Sequence, residues 1–349
     1  MNRTTSAQGA ANDASSGGPR QGGRRSGGLR EGIGVSTNLA LIALVVLAAG
    51  IELAGMALLL RHTGTAALGL IVPIVLLTPT HWGLIHESIH GQLLPRRAAN
   101  ENLGRALSIL LALPFDAVRF GHLMHHRFTR EPYDQPDIHQ AGERRWLARL
   151  RYLGMLCGGF YLVELLSPCI AFLPVPLVQR LASDTFNAAG EHGDEIRRRF
   201  VDFASSARRR KQTRLDFLAA LALYGAAFAL YGRWWPVLLL ICYLRGAWIS
   251  LADNMPHYGV EPDRPGRAHN FKLARGWRTV VMNHHLHCLH HLHPTLPWSA
   301  LPRLAANADD AGAVVEGGGY FSALARQFRW PNQSSIDASI EASTSATSR

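Results

Sequence analysis

The chain has 349 residues, 48% hydrophobic and 17% charged, with a formal net charge of +11. A mean hydropathy of +0.02 would suit a soluble protein, so distribution decides: the apolar residues come in blocks with the charges between them. No nucleic-acid-binding motif accompanies the basic clusters, and four cysteines without a CxxC pair imply neither a disulfide framework nor a zinc ribbon.

Residues 1–34 are rich in Gly, Ser, Ala and Arg and lack apolar periodicity. They cannot bury enough surface to offset chain entropy and are expected to form a disordered basic tail. No early apolar core marks a secretory signal. The first long apolar run covers about 37–60, broken only by Asn38 and Glu52, and the second about 64–85, with Pro73 and Pro79 inside it. Each approaches the roughly 20 residues that cross hydrocarbon as a helix. The tight connection Arg61-His62-Thr63 makes them a helical hairpin.

An apolar segment at 104–115 is too short to span, and one at 151–175 is long enough on length alone. A second pair of runs, about 215–232 and 234–252, turns at Arg233, Trp234 and Trp235, which suits an aromatic belt. Between the pairs lie Arg180, Arg197, Arg198, Arg199, Arg208, Arg209, Arg210 and Lys211, and the tail adds Arg20, Arg24, Arg25 and Arg30. The positive-inside rule then places both termini and the middle loop in the cytosol. A single crossing at 151–175 would invert the second hairpin, so that segment is expected to be re-entrant or interfacial. Residues 306–349 read as a C-terminal extension, disordered from about 332. The expected fold is therefore all-α and integral to the membrane: four transmembrane helices as two hairpins, interfacial helices, and a cytosolic histidine cap. The Ala- and Arg-rich composition points to a bacterial inner membrane.

The 17 histidines are grouped. His86-Glu87-Ser88-Ile89-His90 is an HxxxH pattern just past the second run. His122-Leu123-Met124-His125-His126 and His287-Cys288-Leu289-His290-His291 are both HxxHH. Spacings of three and four put side chains on one helical face, and imidazole suits iron, copper, nickel and zinc. Eight imidazoles exceed the needs of one four-coordinate zinc, so two metals are expected. The topology brings all three groups to one membrane face. His62, His81, His139, His192 and His269 stand alone and read as core or interfacial residues.

At these residues the chain resembles the membrane fatty acid desaturase and hydroxylase superfamily. The stretch HESIHGQLLPRRAANENLGRALSILLALPFDAVRFGHLMHHRFTREPYDQPD is similar to its first two boxes, and MNHHLHCLHHLHPTLPW to its third. The resemblance covers roughly 35–305 in organisation. It implies two iron ions, with dioxygen and two electrons attacking unactivated C–H bonds of lipids. It also makes His257 a ninth ligand and puts Asp253, beside Asn254, where the family has an asparagine that meets the metal through water. His284, His285 and His293 flank the third box as neighbours that hold ligand tautomers. Asp134 and Asp137 could do the same but read better as solvated loop carboxylates, and Arg245 inside the last run pairs with Glu52 or snorkels. No residue beyond the metal ligands is assigned a catalytic role.

The implied partners are membrane lipids, a lipid or fatty acyl substrate, and a separate electron donor, a ferredoxin or cytochrome with its reductase, docking on the basic cytosolic surface. Neutral ligands imply that metal loading fails as pH drops through about 6.5. Rivals are a carotenoid ketolase or hydroxylase with similar boxes, a zinc metalloprotease using Glu87 within HExxH, and a histidine-rich metal transporter with ligands near the midplane.

Overall fold

The computed structural model describes residues 32–138, 144–186, 192–307 and 317–329. The N-terminal tail to residue 31, His139 and the segment 332–349 lie outside the described residues. Among the described residues every regular element is helical, apart from an isolated bridge between Lys272 and Gly319.

Uninterrupted Leu, Val and Ala carry α1 (Val35–Gly50) through a π-helical turn (Ile51–Gly55) into α2 (Met56–Thr63). Gly64, at φ 58° and ψ −138°, adopts a conformation that a Cβ forbids and turns the chain back. A 3-10 turn (Gly64–Leu70), α3 (Ile71–Leu76) and α4 (Thr78–Ile89) follow. Next come α5 (Arg97–Ile109) and α6 (Phe115–Phe128), then α7 (Arg145–Gly154), a π turn (Met155–Gly159), α8 (Phe160–Leu166) and a 3-10 turn (Ser167–Phe172). The amphipathic helices α9 (Val175–Phe186) and α10 (Gly193–Ser205) lead to α11 (Ala207–Tyr231). Gly232, at φ 53° and ψ −122°, repeats the device of Gly64 and starts the return as α12 (Trp235–Asn254). Short helices α13 (Arg275–Val280), α14 (His287–Leu292), α15 (Leu301–Asn307) and α16 (Tyr320–Arg326) close the described chain.

Among the described residues three helical stretches are long and apolar enough to cross a membrane: 35–89, 145–172 and 207–254. The first and third run about 80 and 70 Å along the helix, well over a ~30 Å hydrocarbon core, and each folds back at its glycine. Their reversals adjoin, since Arg61 donates to the Leu230 carbonyl and the Tyr231 hydroxyl to that of Glu52. At the other end Trp298 Nε1 donates to Asn38 (3.0 Å) and Trp82 Nε1 to Asp253 (3.0 Å). Leu47, Val72, Leu218 and Leu239 are among the apolar side chains left outward-facing on these arms, a surface that lipid rather than water would cover.

The middle stretch breaks at Cys157 and Gly158, the latter at φ 113°. It starts and ends at one end of the α11–α12 pair. Tyr152 meets Asn254 (3.2 Å), the carbonyl of Ala171 accepts Arg214 Nε (2.9 Å), and between them the Tyr161 amide donates to Ser250 (3.1 Å). The segment 104–115 is broken and packed inside: α5 ends at Ile109, the chain turns at Ala112 (φ 57°), and Leu107, Leu111, Leu113 and Phe115 pack on Leu84 and Ile85.

Arg245 does not snorkel. Its guanidinium and the Glu52 carboxylate pair directly, with side chains only 5% and 1% exposed, and Nη2 donates to Nδ1 of His81 (2.7 Å). His81 Nε2–H then donates to the Leu107 carbonyl (2.9 Å), so this lone histidine is a satisfied neutral core residue.

Candidate metal centre

The second and third boxes each divide between two clusters, and the first, His86 and His90, lies wholly in one of them. On α6, His122 and His126 stand one turn apart and share a face, while His125 is rotated to the side. On α14, His287 and His291 pair in the same way and His290 diverges. The result is a set of five, His86, His90, His122, His126 and His290, and a set of four, His125, His257, His287 and His291. Within each set the candidate ligand atoms all lie within 4.8 Å of one another. Every histidine expected as a ligand, His257 included, is in one of them.

In the first set Nε2 of His122 lies 2.9 Å from that of His90 and 3.0 Å from that of His126, which is 3.1 Å from His290. In the second set Nε2 of His257 lies 3.1 Å from both His125 and His287, and His291 is 3.1 Å from His287. The outer nitrogens explain why this geometry calls for cations. His125 Nδ1–H donates to Asp134 (2.9 Å) and His257 Nδ1–H to the Arg267 carbonyl (2.8 Å). Both therefore turn a lone pair inward, and two acceptors 3.1 Å apart repel unless a positive ion lies between them. His86 Nε2 is buried with no hydrogen-bond partner. No thiolate joins either set, since the Cys288 thiol points at the Pro265 carbonyl (3.5 Å). All-imidazole donors fit iron.

Burial first, then crowding by neighbouring imidazoles, holds His90, His122, His287, His290 and His291 well below the usual histidine range. His257 is lowered in the same way, and His126 falls to about 2. His125 alone goes up: burial pulls its pKa down, but the Asp134 and Asp253 carboxylates outweigh that. Neutral imidazole is the ligating form, so burial keeps the sets ready for metal.

The flanking residues divide. Asp253 accepts from Trp82 Nε1 and lines a cavity with His86, His122 and His125. Asn254 lines the same cavity, but its amide donates to Tyr152 (3.2 Å) and Gln327 (2.7 Å). The His284 ring packs on His287 with centroids 4.6 Å apart and meets the Tyr320 hydroxyl (3.1 Å), whereas His285 makes no ring contact with either set and feels Arg278 instead. His293 is exposed. His62 is exposed, and His192 meets Glu131 (3.0 Å). Asp137 is no solvated carboxylate: its side chain is 1% exposed, pairs with Arg130 (2.5 Å) and accepts the Gly259 amide (2.9 Å). Arg130 also donates to the Val260 carbonyl (3.0 Å) and its own amide to Asp134 (3.2 Å). The loop after box two is thereby tied to the turn that carries His257. Sequence reasoning missed Arg130 and Arg267; their only trace was a loop dense in Arg, Asp and Pro.

Glu87 accepts the Trp298 amide (3.1 Å) and lies 3.8 Å from Nδ1 of His86. It holds the segment that follows the third box, and the companion histidines of HExxH are two of five converging imidazoles. A cavity of about 230 Å³ reaches the histidines from Gly121, Phe160, Val163 and Glu164; a smaller one of about 50 Å³ reaches them past Trp82, Trp248 and Met282.

Among protein families, the model for fatty acid desaturase matches residues 62–316, which contain all three boxes and His257. No curated protein matches the chain.

Proposed function

Because the chain belongs to the fatty acid desaturase family, we propose that it is a membrane-bound di-iron oxygenase that inserts a double bond into a lipid acyl chain. The observation that carries this reading is the gathering of five and four imidazoles into adjacent sets. Two iron ions held there, with dioxygen and two electrons, would supply the oxidising power for a C–H bond that no side-chain base can deprotonate.

The protein's own part is to hold and orient. Asp134 and the Arg267 carbonyl fix how His125 and His257 face inward, and such outer contacts set ligand basicity. Phe160, Val163 and Trp82 give the cavity beside the histidines apolar walls. Each methylene buried there contributes roughly 0.8 kcal/mol toward holding an alkyl chain.

Four crossings are proposed, the two arms of 35–89 and the two of 207–254, with 145–172 re-entrant. The packing of both its ends at the histidine end of α11–α12 supports this. The arginines between the hairpins then put the histidine sets on the cytosolic face, in a bacterial inner membrane. Electrons would come from a separate donor, a ferredoxin or cytochrome with its reductase, meeting the basic cytosolic surface.

Lipid and pigment extracts of cells with and without the chain, compared by mass spectrometry, test the reading. A new alkene is expected, and an added hydroxyl or keto group would reassign the chain to a hydroxylase or ketolase of the same family. Alanine at His125 or His290 should abolish the product while Glu87→Gln, which keeps an acceptor for the Trp298 amide, retains it. An unchanged lipid profile together with proteolysis that Glu87→Gln abolishes would favour a metalloprotease instead.

A further inference from the structure

Arginines crowd a groove of about 790 Å³ on the outer side of α6, between α5, α10 and the start of α11. Most are paired: Arg97 and Arg119 share Glu101, Arg127 and Arg199 share Glu195, and Arg105 takes Asp116 and Asp216. Arg208 and Arg209 have no carboxylate partner among the described residues. The Arg209 guanidinium lies over the Phe203 ring, 5.0 Å from its centroid.

Arg209, Phe203, Phe120 and Met124 also line a second, apolar cavity of about 210 Å³. Its walls are aromatic, with Phe120 stacked on Phe203 at 4.3 Å and Phe186 against Phe200 at 5.5 Å. This cavity and the one that touches His86, His122 and His125 share Gly121. A Cβ built at Gly121 would meet nothing within 4 Å. The residue therefore leaves an opening on α6, one turn before His125, and the helix itself does not need a glycine there.

We propose that Gly121 is the passage through which the substrate's alkyl chain reaches the histidine sets, its anionic head group held outside by Arg208 and Arg209. The order of surfaces matches a single-chain amphiphile: unpaired guanidiniums first, then an aromatic-walled cavity, then the opening, then the imidazoles. Charge complementarity selects an anion over a neutral or cationic head. Gly121 then decides which chains fit. This rests on the oxygenase reading only for what happens beyond the opening.

The test uses the full chain in phosphatidylcholine nanodiscs, with radiolabelled hexadecyl phosphate as probe and hexadecyl maltoside and butyl phosphate as comparisons. Wild type should prefer hexadecyl phosphate to the maltoside. Gly121→Leu should weaken hexadecyl phosphate by about tenfold or more, the equivalent of two methylenes left unburied, with butyl phosphate binding and metal content unchanged. Gly121→Ala, which favours the helix, should fold at least as well and fall between the two. Arg208→Glu with Arg209→Glu should erase the preference for the phosphate head while the maltoside still binds. Hexadecyl phosphate binding in Gly121→Leu and Gly121→Ala equal to wild type would overturn the proposal, as would equal affinity of wild type for both head groups. Binding is read without turnover. A wild type that binds as expected yet holds a single zinc would sink the oxygenase reading and leave the passage standing.

Discussion

Replacing Asp134 separates the two histidine sets. Its carboxylate accepts Nδ1–H of His125 at 2.9 Å and also the Arg130 amide, and both side chains are about four-fifths buried. A hydrogen bond to a charged acceptor contributes about 1.5–3 kcal/mol and a neutral one about 1. Asp134→Asn keeps an acceptor but loses the charge, a deficit of about 1–2 kcal/mol, which corresponds to roughly 5- to 30-fold in affinity. Asp134→Ala leaves the N–H unpaired and frees the ring to rotate, so about 10- to 100-fold is expected, the usual cost of losing such an outer contact. The loss should fall on one metal, because His125 belongs to the set of four and the set of five contains no residue that touches Asp134. Titration of the purified chain with ferrous iron against a competing chelator reads both affinities. Equal weakening of the two sites, or none at all, would refute the assignment of His125 and of its tautomer.

Two further outcomes follow from buried charge. Glu52→Gln or Arg245→Met alone should destabilise the protein by about 3–5 kcal/mol, because each leaves an uncompensated buried ion, whereas Glu52→Leu with Arg245→Met should come within about 1–2 kcal/mol of wild type; thermal unfolding in detergent measures this, and additive losses would argue against a direct pair. In the metal-free protein most ligand histidines titrate well below the ordinary range when folded, while the unfolded chain takes up protons near 6.5. Stability should therefore fall as pH drops below about 6.5, with His125 alone contributing in the opposite sense because its folded pKa is raised. Metal retention should persist below the value expected of free imidazole, and the set of four should empty first. A melting temperature that does not change between pH of about 7.5 and about 5.5 would contradict the burial of neutral imidazoles.

The helical class, the apolar stretches and eight of the nine candidate ligands were legible in the sequence, because hydropathy and the i, i+3, i+4 spacing of histidines are local properties; His257 stands alone and came only from the family resemblance. Asp137 and Asn254 show where that reading stops. One read as solvated and is buried on Arg130; the other was a candidate neighbour of the metals and instead holds Tyr152 and Gln327. Which way a carboxylate or amide turns depends on groups that arrive from more than 70 residues away, as Gly259 does for Asp137. The split of the second and third boxes between two sets is likewise tertiary. Spacing places His125 beside His126, but only the meeting of α6 with α14 and the turn at His257 sends them to different sets. The chain's own order supplied the ligands; the packing of distant helices, through the direction of each lone pair, decided how they divide.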